Sequence, residues 1–255
     1  MSEAQIRFLA LVRRETTRFW KIKRQTLGAP LLETFLYISV FGAALGSRID
    51  RLHGVDYVVF IIPGLIMMAW AMNAFSNNAS SLLQQKFQRS IDDQLSSPAS
   101  PVELLLAFSA GGFLRGGIVA VCTFAAAAVL VDIPLEHIVV LVPALFLVGF
   151  FFSQLGVLVG LRAEQFDDVS FYQTFVLQPL IFLGGVFYSA SLLPEPFQTL
   201  TRFDPVYYMI GLVRYGFLGY SETNIALSLV LLTLAAAGLF AVNLRLFLKG
   251  YRLRA

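Results

Sequence analysis

Six blocks of apolar residues recur along the chain, at 27–47, 57–79, 107–131, 138–161, 171–188 and 225–244, each carrying at most one charge. About twenty apolar residues wound into a helix cross the ~30 Å hydrocarbon core of a bilayer. The pattern predicts an all-α polytopic membrane protein with six transmembrane helices. Three polar stretches are longer than simple connections: residues 1–26, 80–106 and 189–224.

Each of the three has a pattern of its own. In residues 1–26, Arg7, Arg14, Arg18 and Lys21 share one helical face and Phe8, Val12 and Phe19 another. That amphipathic pattern predicts an interfacial helix, cations toward lipid headgroups and aromatics toward acyl chains, or simply a basic anchor orienting the first span. In Leu82–Pro98, Leu83, Phe87, Ile91 and Leu95 recur every four residues, interleaved with Lys86, Arg89, Asp92 and Asp93. The stripe predicts a short amphipathic helix, and its mixed charge suits a soluble partner's groove as well as a plain connector. In 189–224, Asp204-Pro205 marks a turn before the apolar run Val206–Leu218, which contains Tyr208 and Arg214. Thirteen residues reach roughly 20 Å, too short to span, so short helices at the external face are expected, acting as a gate or as a structural cap.

Composition strengthens the membrane reading and closes other routes. Of 255 residues 57% are hydrophobic and 14% charged, against about 25% charged in soluble domains; the mean hydropathy is +0.73. One cysteine, Cys122, excludes a disulfide scaffold, and two separated histidines, His53 and His137, offer no metal set. The net charge of +3 is not spread as a nucleic-acid face would be. Fourteen Lys and Arg fall in the N-terminal segment, the 80–106 and 162–170 connections and the tail, against four on the alternate side. Positive residues concentrate on the cytoplasmic side, so both termini are expected inside, and the basic start has no cleavable-signal pattern.

Two charges fall inside spans. Glu33 lies in the first, and Arg115, in the third, stands roughly 10–15 Å above the cytoplasmic boundary by helix length. They are expected to pair or to line a pathway, with snorkelling as the plainer option for Arg115. Gly42/Gly46, Gly112/Gly116 and Gly156/Gly160 permit close helix contacts. Pro63-Gly64 and Pro179 with Gly184-Gly185 are expected to interrupt the second and fifth spans. No lysine is followed by Ser or Thr, so no phosphate-binding loop is present, and neither histidine has a matching nucleophile nearby in sequence. The chain is expected not to be an enzyme by itself.

Four stretches carry a family resemblance: Phe60–Trp70, Lys86–Pro98, Phe166–Pro194 and Asp204–Gly219. In order and spacing the chain resembles the permease subunits of bacterial ABC transporters of the type-2 class. The resemblance implies an amphipathic segment at 1–26 and one permease domain over 27–255. It implies a coupling helix between spans two and three at Leu82–Pro98, docking on a cytoplasmic ABC ATPase through Leu83, Lys86, Phe87, Arg89, Ile91, Asp92, Asp93 and Leu95. It implies external helices over Leu192–Gly219, with Asp204, Pro205, Tyr208 and Arg214 as gate candidates. Further expectations are a second permease copy as homodimer and location in the bacterial cytoplasmic membrane, with lipid but no nucleic acid as partner. No cofactor is expected on this chain, with ATP and Mg held by the ATPase. The function implied is export of a hydrophobic or amphipathic drug, lipid or glycan. A channel, scramblase or ion-coupled carrier is the alternative.

Overall fold

The computed structural model describes residues 2–45 and 51–253, so Gly46, Ser47, Arg48 and Arg254 lie outside the described residues. The order of elements is α1 (Glu3–Lys21), α2 (Lys23–Leu45), β1 (Arg51–Leu52), β2 (Val55–Asp56), α3 (Tyr57–Phe87), α4 (Ser90–Leu95), α5 (Pro101–Leu130) and α6 (Ile138–Arg162). Then follow α7 (Phe166–Phe171), a π-helical stretch (Tyr172–Leu177), α8 (Gln178–Leu183), a 3-10 turn (Ala190–Leu192), α9 (Glu195–Phe203), α10 (Pro205–Leu218) and α11 (Ile225–Leu248). Among the described residues, four helices are long and apolar enough to cross a membrane: α3, α5, α6 and α11.

Helix α3 is the axis of the bundle. It packs along α5 on one side and α6 on the other, and α11 and α10 close over α6. Phe60, Ile61, Ile62, Met67 and Phe75 are wholly buried along it. Small residues let the neighbours approach this closely. Gly112 lies against the Asn78 side chain, and Gly156 and Gly160 lie against the backbone carbonyls of Phe75 and Ala79.

Several boundaries differ from the sequence expectation, each for a local reason. Residues 82–98 are not one helix, because α3 continues to Phe87 and Arg89 takes a left-handed conformation (φ 55°) that ends it. A bulky residue in that region breaks helical geometry, and α4 restarts as a separate six-residue turn. Leu83 and Phe87 therefore belong to α3, and Ile91 and Leu95 to α4. Pro63-Gly64 interrupts nothing; both sit inside unbroken α3, with Gly64 pressed on the backbone of Val186. The predicted fifth span, 171–188, falls on consecutive helical pieces, the end of α7, the π stretch and α8, which stop at Gly184. Helix α2 carries Lys23, Arg24 and Glu33 and is not among the four long apolar helices. Helix α1 does not simply present its cations outward: Glu15 and Phe19 are buried, and α1 packs on α5.

Turn chemistry is legible throughout. His53 (φ 51°) and Gly54 (φ 87°) form the two-residue loop between β1 and β2, both in the positive-φ geometry that matches strand twist. Ser100 and Glu103 form a capping box around Pro101 at the start of α5. Asp204, Pro205 and Gly219 (φ 68°) start and stop α10.

Candidate functional site

The α4 end of the bundle holds the predicted docking residues. Leu83 and Ile91 are buried, and Leu95 is partly so. Lys86 is buried too. Its Nζ donates to the carbonyl oxygens of Gly160, Leu161 and Ala163 at 3.1, 3.0 and 2.8 Å, capping the C-terminus of α6. Those carbonyls have no helical donor, and the helix dipole adds partial negative charge there, so a cation fits. Lys86 is thus a clasp between α3 and α6 and no surface contact. Phe87 remains 57% exposed and stacks on Phe166, itself 49% exposed, at 5.7 Å. Phe166 opens α7, where the backbone N–H groups of Glu164 and Gln165 donate to Asp168 at 2.8 and 3.1 Å and hold its carboxyl below the usual range. Arg89 and Asp93 are exposed, and Asp92 is partly exposed.

A polar network missed by periodicity ties α1 to this end. The buried Glu15 carboxylate accepts from Ser81 Oγ (2.6 Å) and Gln85 Nε2 (2.8 Å), and Gln94 of α4 donates to Gln85. Arg18 Nη2 donates to the backbone and side-chain oxygens of Asn77 at 2.8 and 2.7 Å. Burial lowers the Arg18 pKa, opposed by the nearby Glu15 charge. Only the i, i+3 spacing of Glu15 and Arg18 on an otherwise basic helix hinted at this.

At mid-height, a cavity of about 300 Å³ opens between α2, α3, α5 and the π stretch. Glu33 and Arg115 both line it, with Asn73, Ser76, Gln173 and Gln178. The two charges share the cavity without forming an ion pair: among the described residues no carboxylate lies within 4.0 Å of Arg115. The apolar share of the wall comes from Leu65, Met68, Met72 and Ile181.

At the opposite, hairpin end, the gate candidates divide. Arg214 is buried, donates to Gly185 O at 2.7 Å and lies 4.0 Å over the Phe60 ring, so it braces α10 against α3. Tyr208 is more peripheral, its hydroxyl donating to Arg202 O at 2.9 Å. Pro205 is the first residue of α10. His53 does have a hydroxyl neighbour, contrary to its isolation in sequence. Its Nε2 lies 3.2 Å from Ser189 Oγ, 3.1 Å from the Tyr220 hydroxyl and 3.7 Å from Glu222, which also accepts from Ser189. All of these meet one ring nitrogen, whereas a catalytic triad needs the acid on the other. The cluster staples the hairpin to the 189–192 and 219–224 turns and has no nucleophile geometry.

Asp204 caps α10 through Oδ1, which accepts from Val206 N–H at 2.9 Å, while its buried Oδ2 has no partner among the described residues. Burial pushes its carboxyl up to about 6 against an ordinary 3.8. A raised carboxylate pKa means the folded state holds the proton more tightly. Stability is fullest below pH 3.8 and falls as pH rises to about 6, by about 3 kcal/mol if the whole shift is expressed. Asp204→Asn keeps the cap oxygen and should flatten that slope and raise the melting temperature at pH 7.5. Thermal melts in detergent from pH 4 to 8 test this, and an unchanged slope would refute it.

A family model described as ABC-2 type transporter matches residues 6–218. The chain is 38% identical over 242 residues to the inner membrane transport permease YadH of Escherichia coli K12, covering 95% of this chain and 94% of that protein. It is 28% identical over 222 residues to nodulation protein J of Rhizobium leguminosarum bv. trifolii, covering 86% and 84%. Nodulation protein J of Rhizobium meliloti is 24% identical over 221 residues, with the same coverage.

Proposed function

Because this chain belongs to the ABC-2 type transporter family, as a multi-pass membrane permease subunit, we propose that it forms the membrane path of an ATP-driven exporter. The ATPase is a separate subunit, holding ATP and Mg, and docks at the α4 end. Two permease copies complete the machine in the bacterial cytoplasmic membrane, with six spans each and both termini in the cytoplasm. The substrate is hydrophobic or amphipathic and passes the cavity lined by Glu33 and Arg115.

The observation that carries this reading is the stacked, exposed pair Phe87 and Phe166, set on a corner that the Lys86 clasp makes stiff. Solvent-facing aromatics on a rigid mount are the kind of anchor that fills a pocket on a partner. The flanking Arg89, Asp92 and Asp93 supply the polar rim. The excess of Lys and Arg on this side of the sequence supports its cytoplasmic placement.

Phe87→Asp should lower copurification of the candidate ATPase about tenfold or more, the scale of losing one anchor residue. The melting temperature of the permease alone should stay the same, since Phe87 is on the surface. Unchanged assembly and hydrolysis would overturn the docking assignment. Substrate flux in vesicles without ATP would instead establish a channel, scramblase or ion-coupled carrier.

A further inference from the structure

Arg115 is the odd cation of the bundle. Arg7 pairs with Glu103 at 3.0 Å, Arg18 binds Asn77, and Arg214 binds Gly185 and the Phe60 ring. Arg115 sits at the middle of α5, partly buried, and no hydrogen bond or ion pair reaches any of its nitrogens from the described residues, whereas the other three, whose Nε atoms likewise lack a hydrogen bond, are held through their terminal nitrogens. An uncompensated guanidinium at such depth costs several kcal/mol, so its persistence points to a counter-charge that is not part of the fold. Glu33 is the carboxylate that shares its cavity, yet it does not close on Arg115.

The cavity itself limits what that counter-charge can be. About 300 Å³ is the share of roughly ten waters. A phosphate, sulfate or carboxylate with a few attached atoms fits, and an acyl chain does not. Arg115 presents the forked donors that such oxyanions take. Ser76, Gln173 and Gln178 add hydroxyl and amide groups, and Glu33 can accept from a hydroxyl on the same head group. Leu65, Met68, Met72 and Ile181 form an apolar wall, and thioether side chains adapt to varied apolar surface. On the far face of α2, Leu32, Phe35 and Leu36 are exposed and apolar, so a tail leaving the cavity past α2 meets greasy surface.

We propose that this cavity binds the anionic head group of an amphiphile, with Arg115 taking the anion and Glu33 a neighbouring hydroxyl. The inference deepens, and rests on, the reading of Glu33 and Arg115 as lining the transport path.

The full-length permease in phosphatidylcholine nanodiscs, probed with radiolabelled dodecyl phosphate, tests it. Dodecyl maltoside, dodecyltrimethylammonium and inorganic phosphate serve as competitors. Dodecyl phosphate should bind saturably, about tenfold or more tighter than either other amphiphile, the scale of one charge-assisted pair. Arg115→Gln should erase that preference and raise the ligand-free melting temperature, because an unpaired charge has been removed. Arg115→Lys should keep most of the preference. Equal binding of all three amphiphiles, blocked by Met72→Trp, would overturn the head-group class while leaving the path reading standing. No saturable binding of any amphiphile would overturn both. Displacement by inorganic phosphate as effective as by dodecyl phosphate itself would overturn the amphiphile and leave a soluble anion. A ligand-free melting temperature that falls in Arg115→Gln, with binding unaltered, would mean a carboxylate of the second copy already pairs with Arg115, and would overturn the proposal.

Discussion

Gly156→Leu should lower the stability of the folded permease markedly. A Cβ at Gly156 overlaps the carbonyl oxygen of Phe75, and one turn on, a Cβ at Gly160 would sit 2.9 Å from the carbonyl oxygen of Ala79. These are backbone atoms of α3, so no rotamer change can clear them; α6 must move away along its length. Overpacking of this kind costs about 1–3 kcal/mol and more when backbone has to shift, out of a total near 5–15 kcal/mol. Parting α3 from α6 also strands the flanking side chains, since Phe75 and Phe152 are both buried at this seam. At about 3 kcal/mol, a melting temperature lower by roughly 6–12 °C is expected, at 2–4 °C per kcal/mol for a chain of this size, together with loss of monodisperse material in size-exclusion chromatography. Gly238→Ala is the matched control, because nothing lies within 4 Å of the new Cβ in α11, and it should be neutral or mildly stabilising. If Gly156→Leu melted like Gly238→Ala, the α3–α6 seam would not be the close contact described.

Lys86→Met is the second large effect, and it separates stability from coupling. Methionine keeps the length of the stem and removes three charge-assisted donors, leaving the carbonyls of Gly160, Leu161 and Ala163 without their partner. A loss of about 3 kcal/mol is expected, as for a charged hydrogen-bonding group taken from buried acceptors. The loosened corner is the mount of Phe87 and the neighbour of α7. The ATPase should therefore still bind but respond less to transported substrate. Hydrolysis by the assembled complex, with and without substrate, reads this out: stimulation should fall several-fold more than the basal rate. Equal losses in both would mean Lys86 only holds the fold together.

The contrast between Lys86 and Phe87 also shows which parts of the molecule were legible in the sequence. The spans now seen in α3, α5, α6 and α11 follow from uninterrupted apolar runs, because burial in lipid and burial in protein demand the same side chains. The continuation of α3 through Gln85 and Lys86 did not, since those residues look like a surface and instead satisfy Glu15 and the end of α6. Hydropathy cannot see polar groups that neutralise each other across 70 or more positions. The same limit hid the meeting of His53, Ser189 and Glu222. Helix length arithmetic did bring Glu33 and Arg115 to similar depth, and they share a cavity, but whether they touch depends on how α2 and α5 lean. Nor does a simple residue pattern foretell the π stretch at 172–177.

The buried Glu15 has a consequence for biogenesis. Its partners Ser81 and Gln85, and the Gly111 backbone it rests on, emerge from the ribosome 66 to 96 residues later. At ordinary synthesis rates that is a wait of roughly 5–20 s. Throughout it the first helix has nothing to seat on, and must stay outside the apolar phase until its berth has been threaded into the bilayer behind it.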